Sequence, residues 1–370
     1  MKIVFYLITL ITASLMLPQI ATSQVYDMYV GTYTDGTKSQ GIYRYTFNAG
    51  TGQAQVVSVT DSPNPSFLAR FENRLLAVNE GGGQDATISL FEITPKGLTL
   101  VDKSTTLGDH PCHVALDPAG NIALVSNYSG GSLGLFSLVD NRKHLVLHDL
   151  MEFDGSGPNT DRQQQSHIHS AFFNNGLAYV SDLGSDQIHV YKPSHDGTGL
   201  RNGVLQLEEK TVVYTLEGGG ARHVAFSGDG STLYSLQEIT GQVAVFKFEG
   251  EEWALKQIVP IFGDGFEGEH GAAELKVSPD GRTLYATNRG DANLIVQYDI
   301  LANGTLEWRN QYGVQGDGPR NFNITPDGRY VLVANQKTNQ IVVFQRDTIS
   351  GDLSDTGTRI DVPAPVCIIF

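Results

Sequence analysis

The stretch HVAFSGDGSTLYSLQE, residues 223–238, reads as two short strands around a tight turn. Val224–Phe226 is an apolar strand, Gly228-Asp229-Gly230 supplies turn residues, and Leu233–Leu236 is a second apolar run closed by Gln237 and Glu238. The pattern recurs as SFLARFENRLLAVNE from Ser66, HVALDPAGNIALVSNY from His113, HSAFFNNGLAYVSDL from His169, ELKVSPDGRTLYATNR from Glu274, NFNITPDGRYVLVANQ from Asn321 and CIIF from Cys367. The starts are 46 to 56 residues apart. A period of that length, with strand content throughout, predicts one four-stranded sheet per repeat. Seven starts predict an all-β, seven-bladed β-propeller.

Each repeat supplies strands a, b, c and d from the axis outward. In one repeat, a is His113–Leu116, b is Ile122–Asn127, c is Ser132–Leu138 and d is about Leu145–Phe153. Pro-Asp-Gly at 279–281 and 326–328 is suitable chemistry for the a–b turn. The last repeat has only its strand a. The missing strands are expected near the N-terminus, with Tyr26–Thr32 as b, Gly41–Phe47 as c and Ala54–Val59 as d. The N-terminal strands thus complete the blade that the C-terminal strand begins, which removes an open sheet edge. Residues 24–370 form one domain on this reading. Two irregular d-to-a connections, Asp154–Ser166 and Phe262–Gly271, reach the same face as the b–c turns, where binding loops are expected.

Residues 1–23 read as a secretory signal peptide. Lys2 gives a positive start, Ile3–Leu17 is an apolar run short for a membrane span, and Ala21-Thr22-Ser23 is a small-residue cleavage site. Export, periplasmic or secreted, is therefore expected, with no membrane association after cleavage. The formal net charge is −15, and removing the leader takes away one Lys and no acid. So acidic a chain is a poor partner for nucleic acid or an anionic membrane. Export would permit a disulfide between Cys112 and Cys367. Both start inner strands of well-separated repeats, however, so free, buried thiols are expected.

Two positions per repeat face the funnel: the start of strand a and the end of strand b. The a starts include His113, His167 and His169, Arg222 and His223, Glu269 and His270, and Arg320 and Asn321. The b ends include Asn79 and Glu80, Asn127, Asp182, Gln237 and Glu238, and Asn288 and Arg289. Taken singly, Asn127 or His223 reads as a turn cap or a partner for a backbone carbonyl. His169, Arg222, Glu238 and Arg289 together read differently. Glu238 alone is not expected to satisfy both arginines, and spare positive charge in a concave site points to a carboxylate or phosphate ligand. His113, His167, Asn127, Asp182, His270 and Arg320 are the expected substrate-binding residues around this set.

The motifs Tyr29-Val30-Gly31-Thr32-Tyr33, His110-Pro111-Cys112-His113-Val114, Asn127-Tyr128-Ser129-Gly130-Gly131, His167-Ile168-His169, Asp182-Leu183-Gly184-Ser185-Asp186, Gly220-Ala221-Arg222-His223 and Asn288-Arg289-Gly290 resemble those of the seven-bladed β-propeller lactonase family. That family includes propeller-type 6-phosphogluconolactonase and carboxy-cis,cis-muconate cyclase, and the resemblance runs from Tyr26 to Phe370. It implies a catalytic set of His169, Arg222, Glu238 and Arg289, hydrolysing a sugar lactone to an aldonic acid without cofactor or metal. Glu238 or His169 would activate water, with Arg222 and Arg289 holding the anion or oxyanion. Gly-Ala-Arg at 220–222 replaces the family's usual Gly-Pro-Arg, and the leader is absent from the intracellular sugar-phosphate enzyme. The expected partner is a small lactone, acidic or phosphorylated, bound by a monomer or weak homodimer. Two other readings stand beside this one. One is a calcium-dependent propeller lactonase or esterase with Glu80, Asn127, Asp182 and Glu238 as oxygen ligands. The other is a sugar-acid-binding propeller without turnover. The His167–His169 pair lacks an obvious third zinc ligand.

Overall fold

Seven four-stranded antiparallel sheets make up the fold in the computed structural model, which describes residues 24–194, 205–263 and 265–370. The expected signal peptide lies outside the described residues. The twenty-eight strands among them are numbered in chain order, and six of the sheets take four consecutive strands each, within residues 67–105, 111–152, 168–214, 221–260, 270–313 and 319–361. The seventh sheet has the order β28-β1-β2-β3, with β1 at Val25–Thr32, β2 at Gly41–Asn48, β3 at Gln53–Asp61 and β28 at Pro365–Ile369. β1 pairs antiparallel with β28, Val30 opposite Ile368, so the two ends of the ring share one blade.

The packing explains the composition. Second strands such as β5 (Arg74–Asn79), β9 (Ile122–Asn127) and β25 (Tyr330–Asn335) are buried along their whole length, because both faces of each blade lie against a neighbour. They therefore read as near-continuous apolar runs. Outer strands such as β3 alternate toward solvent. The closing blade contributes Met28, Val30, Tyr45 and Phe47 to a cluster with Leu332, Ala334, Ile341 and Val343 of the preceding blade. Gly281 and Gly328 take φ of +71° and +72° in the two Pro-Asp-Gly turns, a region other residues enter only at a cost.

One irregularity recurs around the ring. At the start of the inner strand the register slips by a residue, between Pro111 and His113, Ile168 and Ser170, Ala221 and His223, and Pro319 and Asn321. Each slip is a β-bulge that leaves one residue without a cross-strand partner and re-aims its side chain. The bulged residues are Cys112, His169, Arg222 and Arg320, and all four line the axial funnel.

Candidate active site

The funnel opens on the face carrying the d-to-a connections and holds a cavity of about 480 Å³. Its wall includes Glu80, Cys112, Tyr128, Arg162, His169, Glu238, His270, Arg289 and Arg320, with Lys337 also contributing. A narrower chamber below is lined by Cys112, His169, Arg222, His223, Arg320 and Asn321, among others. Two structural positions supply most of the site. One is the bulge at the start of the inner strand. The other is the residue directly after the second strand: Glu80 after Asn79, Tyr128 after Asn127, Glu238 after Gln237. In β21 (Thr283–Gly290) the matching residue is Arg289.

The centre of the site is Glu238, only 6 % exposed. Its Oε2 accepts from Arg222 Nε at 2.7 Å and lies 3.1 Å from Arg289 Nη2, while Oε1 accepts from Arg162 Nη2 at 2.6 Å. One carboxylate thus engages both expected arginines and a third, contrary to the expectation that it could not satisfy two. Burial alone would raise its pKa. Arg289, Arg222, His169 and Arg162 together outweigh burial and hold the carboxyl well below the usual range. Arg222 is fixed further by its bond to the Ala273 carbonyl, and Arg289 by those to the carbonyls of Gly271 (3.0 Å) and Ala272 (3.2 Å).

His169 places Nε2 3.8 Å from Glu238 Oε2, and its buried Nδ1 has no hydrogen-bond partner among the described residues. Burial, reinforced by Arg222, lowers its basicity well below that of an ordinary histidine, so the ring is neutral at neutral pH. Tyr33 donates to Glu80 at 2.9 Å, and the Arg320 guanidinium stands 5.4 Å from the centre of the Tyr33 ring. Arg320 has no ion-pair partner within 4.0 Å among the described residues. Four arginines and Lys337 therefore face Glu80, Glu238 and Glu269, a local excess of positive charge in an acidic chain.

His169, Arg222, Glu238 and Arg289 come together as the sequence suggested, and His270 and Arg320 also line the cavity. Four expected binding residues are placed behind it. Asn127 is buried and bonds Ser132 Oγ, while Asp182 accepts from the backbone of His167 and Gly184 and from Ser185 Oγ. These are turn-holding roles, one residue short of the cavity position. His167 stacks on Tyr128 and binds its carbonyl through Nδ1. His113 packs against Phe67, Phe172 and His223 deep in the axis. His169 is also out of step with His113 and His223. It is a bulge residue like Arg222, and Ser170 occupies the position equivalent to His113.

The deeper column forms a cross-blade network. His223 Nδ1 lies 3.0 Å from Glu274 Oε1, Asn321 Nδ2 donates to Glu274 Oε2, and the Ile368 amide donates to Asn321 Oδ1. Arg222 Nη1 can only donate toward His223 Nε2, so the His223 proton sits on Nδ1 and points at Glu274. Burial lowers His223 to about 4, while Lys276 and His223 overcome burial to hold Glu274 at about 2. The network ties the catalytic-face arginine to the strand that closes the ring.

Arg162 and Tyr128 were not singled out from the sequence. Arg162 sits in the polar 154–166 connection, and a lone cation in a loop on the binding face was the available signal. Both cysteines are free and buried. The oxygen donors of the calcium reading do not converge, because Asn127 and Asp182 hold turns. Among the described residues, no group of three or more His, Cys, Asp or Glu is placed to hold a metal. No helix among them is long and apolar enough to cross a membrane. A larger cavity of about 860 Å³ lies on the rim between Gly36–Lys38 and Gln336–Asn339, but it brings no imidazole to its lysines and Asp361.

Residues 27–370 match the family model described as lactonase, 7-bladed beta-propeller. The chain is 33% identical to a 6-phosphogluconolactonase of Formosa agariphila, covering 88% of this chain and 94% of that one. It is 28% identical to the 6-phosphogluconolactonase of Bacillus subtilis, covering 92% and 97%. Among solved structures, the periplasmic gluconolactonase of Pseudomonas aeruginosa superimposes with a TM-score of 0.86 at 32% identity, over 94% of this chain and 99% of that one. A ring of seven blades, a bulge-built funnel and these matches lead to one assignment: the chain belongs to the seven-bladed β-propeller lactonase family.

Proposed function

We propose that this protein hydrolyses a sugar lactone to the aldonic acid in the axial funnel, without a metal ion. The observation that carries the reading is the pairing of a neutral His169 with a carboxylate anchoring three arginines. The lactone carbonyl oxygen points at the Arg289–Arg222 side. His169 takes a proton from water as the water oxygen bonds to the carbonyl carbon. The tetrahedral oxyanion is stabilised by the guanidiniums. Its collapse breaks the bond to the ring oxygen, which takes the proton back from the imidazolium, and the new acid ionises. Glu238 is a poor base, being held far below its usual range, and serves to aim the arginines and to stabilise the imidazolium. A positioned base contributes roughly 10²–10⁴-fold and an oxyanion donor about 10²–10³-fold, enough for a bond that water already opens slowly.

The funnel's positive excess favours a lactone bearing an acidic group, phosphate or carboxylate. Residues 1–23 and the likeness to a periplasmic gluconolactonase support export to the periplasm or beyond. The test is acid release from glucono-δ-lactone and 6-phosphogluconolactone in a pH-stat, with and without chelator. Release above the uncatalysed rate and indifferent to chelator is expected. Loss with chelator would favour the calcium reading, and no release would leave a binding module.

A further inference from the structure

Of the three arginines on Glu238, Arg162 differs from the others in origin and freedom. Arg222 and Arg289 come from strands and are also bonded to backbone carbonyls. Arg162 comes from the 154–166 connection, and its side chain is 43 % exposed against 3 % for Arg222 and 20 % for Arg289. Its contacts are Glu238 Oε1 and the Tyr128 hydroxyl at 3.3 Å. It stands at the cavity mouth, where an entering ligand passes it.

The backbone beneath this side chain is well held. Asn159 Oδ1 accepts from the amides of Asp161 and Arg162. The adjacent Gln163, fully buried, donates to the Leu183 carbonyl and to Asp186. The base of Arg162 is therefore fixed, while its half-exposed guanidinium is held by side-chain contacts to Glu238 and Tyr128. A guanidinium donates to a phosphate or carboxylate oxygen as Arg162 Nη2 donates to Glu238 Oε1, and has further N–H groups to offer.

We infer that Arg162 is a clasp that selects lactones carrying an anionic group, resting on Glu238 in the free protein and transferring to the substrate's phosphate or carboxylate in the complex. This rests on the lactonase reading above. A neutral lactone offers Arg162 no reason to leave, so the residue discriminates between substrates rather than serving all equally. The transfer also removes one of three cations from Glu238. The carboxylate is then left more strongly coupled to His169 when the imidazole becomes charged.

The test compares wild type, Arg162→Ala and Arg162→Lys on three lactones: 6-phosphogluconolactone, glucaro-1,4-lactone and neutral glucono-δ-lactone. The phosphate and carboxylate arms show which anion the clasp prefers. Arg162→Ala is expected to lower the anionic-to-neutral ratio of kcat/KM at least about tenfold, the size of a lost charge-assisted bond, mainly through KM. Arg162→Lys is expected to recover part of the ratio. Parallel losses on all three lactones, or a ratio within about threefold of wild type, would overturn the inference. Calorimetric binding of 6-phosphogluconate against gluconate gives a second readout, with the same selective loss expected. A wild type that opens no lactone would sink the functional reading. Active wild type with an unmoved ratio in Arg162→Ala would sink the clasp alone.

Discussion

Replacing Glu238 with Gln keeps the side chain's shape and removes the charge on which three arginines converge. The bonds at stake are 2.6 Å to Arg162 and 2.7 Å to Arg222, with Arg289 at 3.1 Å. Arg162 can turn to water, because nearly half of its side chain is exposed. Arg222 cannot, being 3 % exposed and held by the Ala273 carbonyl, so it is left as a buried cation without a counter-charge. Breaking such a pair from one side costs about 3–5 kcal/mol. At about 2 °C per kcal/mol for a chain this large, the Tm should fall by about 6–10 °C. The funnel then carries even more unbalanced positive charge, so millimolar phosphate or 6-phosphogluconate should restore much of the loss, and more than it adds to wild type. Thermal melts with and without the anion measure both effects. A Glu238→Gln protein as stable as wild type, or one indifferent to added anion, would refute the claim that Glu238 neutralises the buried arginine.

Arg289→Ala should leave the ring folded, since the side chain lies at the funnel wall, while lactone turnover falls at least about a hundredfold; circular dichroism and pH-stat rates check the two halves. His169 must be neutral to accept a proton, and burial with Arg222 places its titration below that of an ordinary histidine. The kcat profile should therefore stay flat as pH falls from 8 through 6.5 and bend only lower, whereas an inflection above 7 would remove His169 as the base. Truncation after Asp361 deletes β28, strips β1 of its partner on the axial side and removes the Ile368 amide from Asn321 and the Phe370 ring from Tyr26 and Phe47. The shortened chain should fail to fold cooperatively; a melt like that of the full chain would contradict ring closure. Buried His223, lowered to about 4, binds its proton less readily folded than unfolded. Its contribution to stability is thus complete above about pH 6.5 and is lost as pH falls toward 4, which melts across that window follow.

The fold was legible because a blade buries both faces of its second strand, and a doubly buried strand writes itself as an unbroken apolar run at every repeat. The site was legible to within one residue. Asn127 and Asp182 carry the polarity that drew them to the funnel, yet that polarity holds turns, and the adjacent Tyr128 stands at the cavity. Strand alternation puts neighbours on opposite sides, so an error of one position exchanges a turn cap for a wall residue. His169 shows the same effect through a bulge. Repeat alignment groups it with His113 and His223, but the extra residue in β12 (Ile168–Asn174) moves it into the column of Arg222. A bulge has no sequence signature of its own here. Arg162 escaped for another reason: it arrives from an irregular d-to-a connection that lies outside the repeated strand pattern, so periodicity could not point to it.

The most direct test of the account is a crystal structure of the protein with a bound aldonate, the product of lactone opening. The carboxylate is expected beside His169 and Arg289 within the funnel, with any second anionic group reaching Arg162 or Arg320. An aldonate seated in the rim cavity near Lys38, or a funnel that stays unliganded while turnover proceeds, would contradict the assignment of the chemistry to this site.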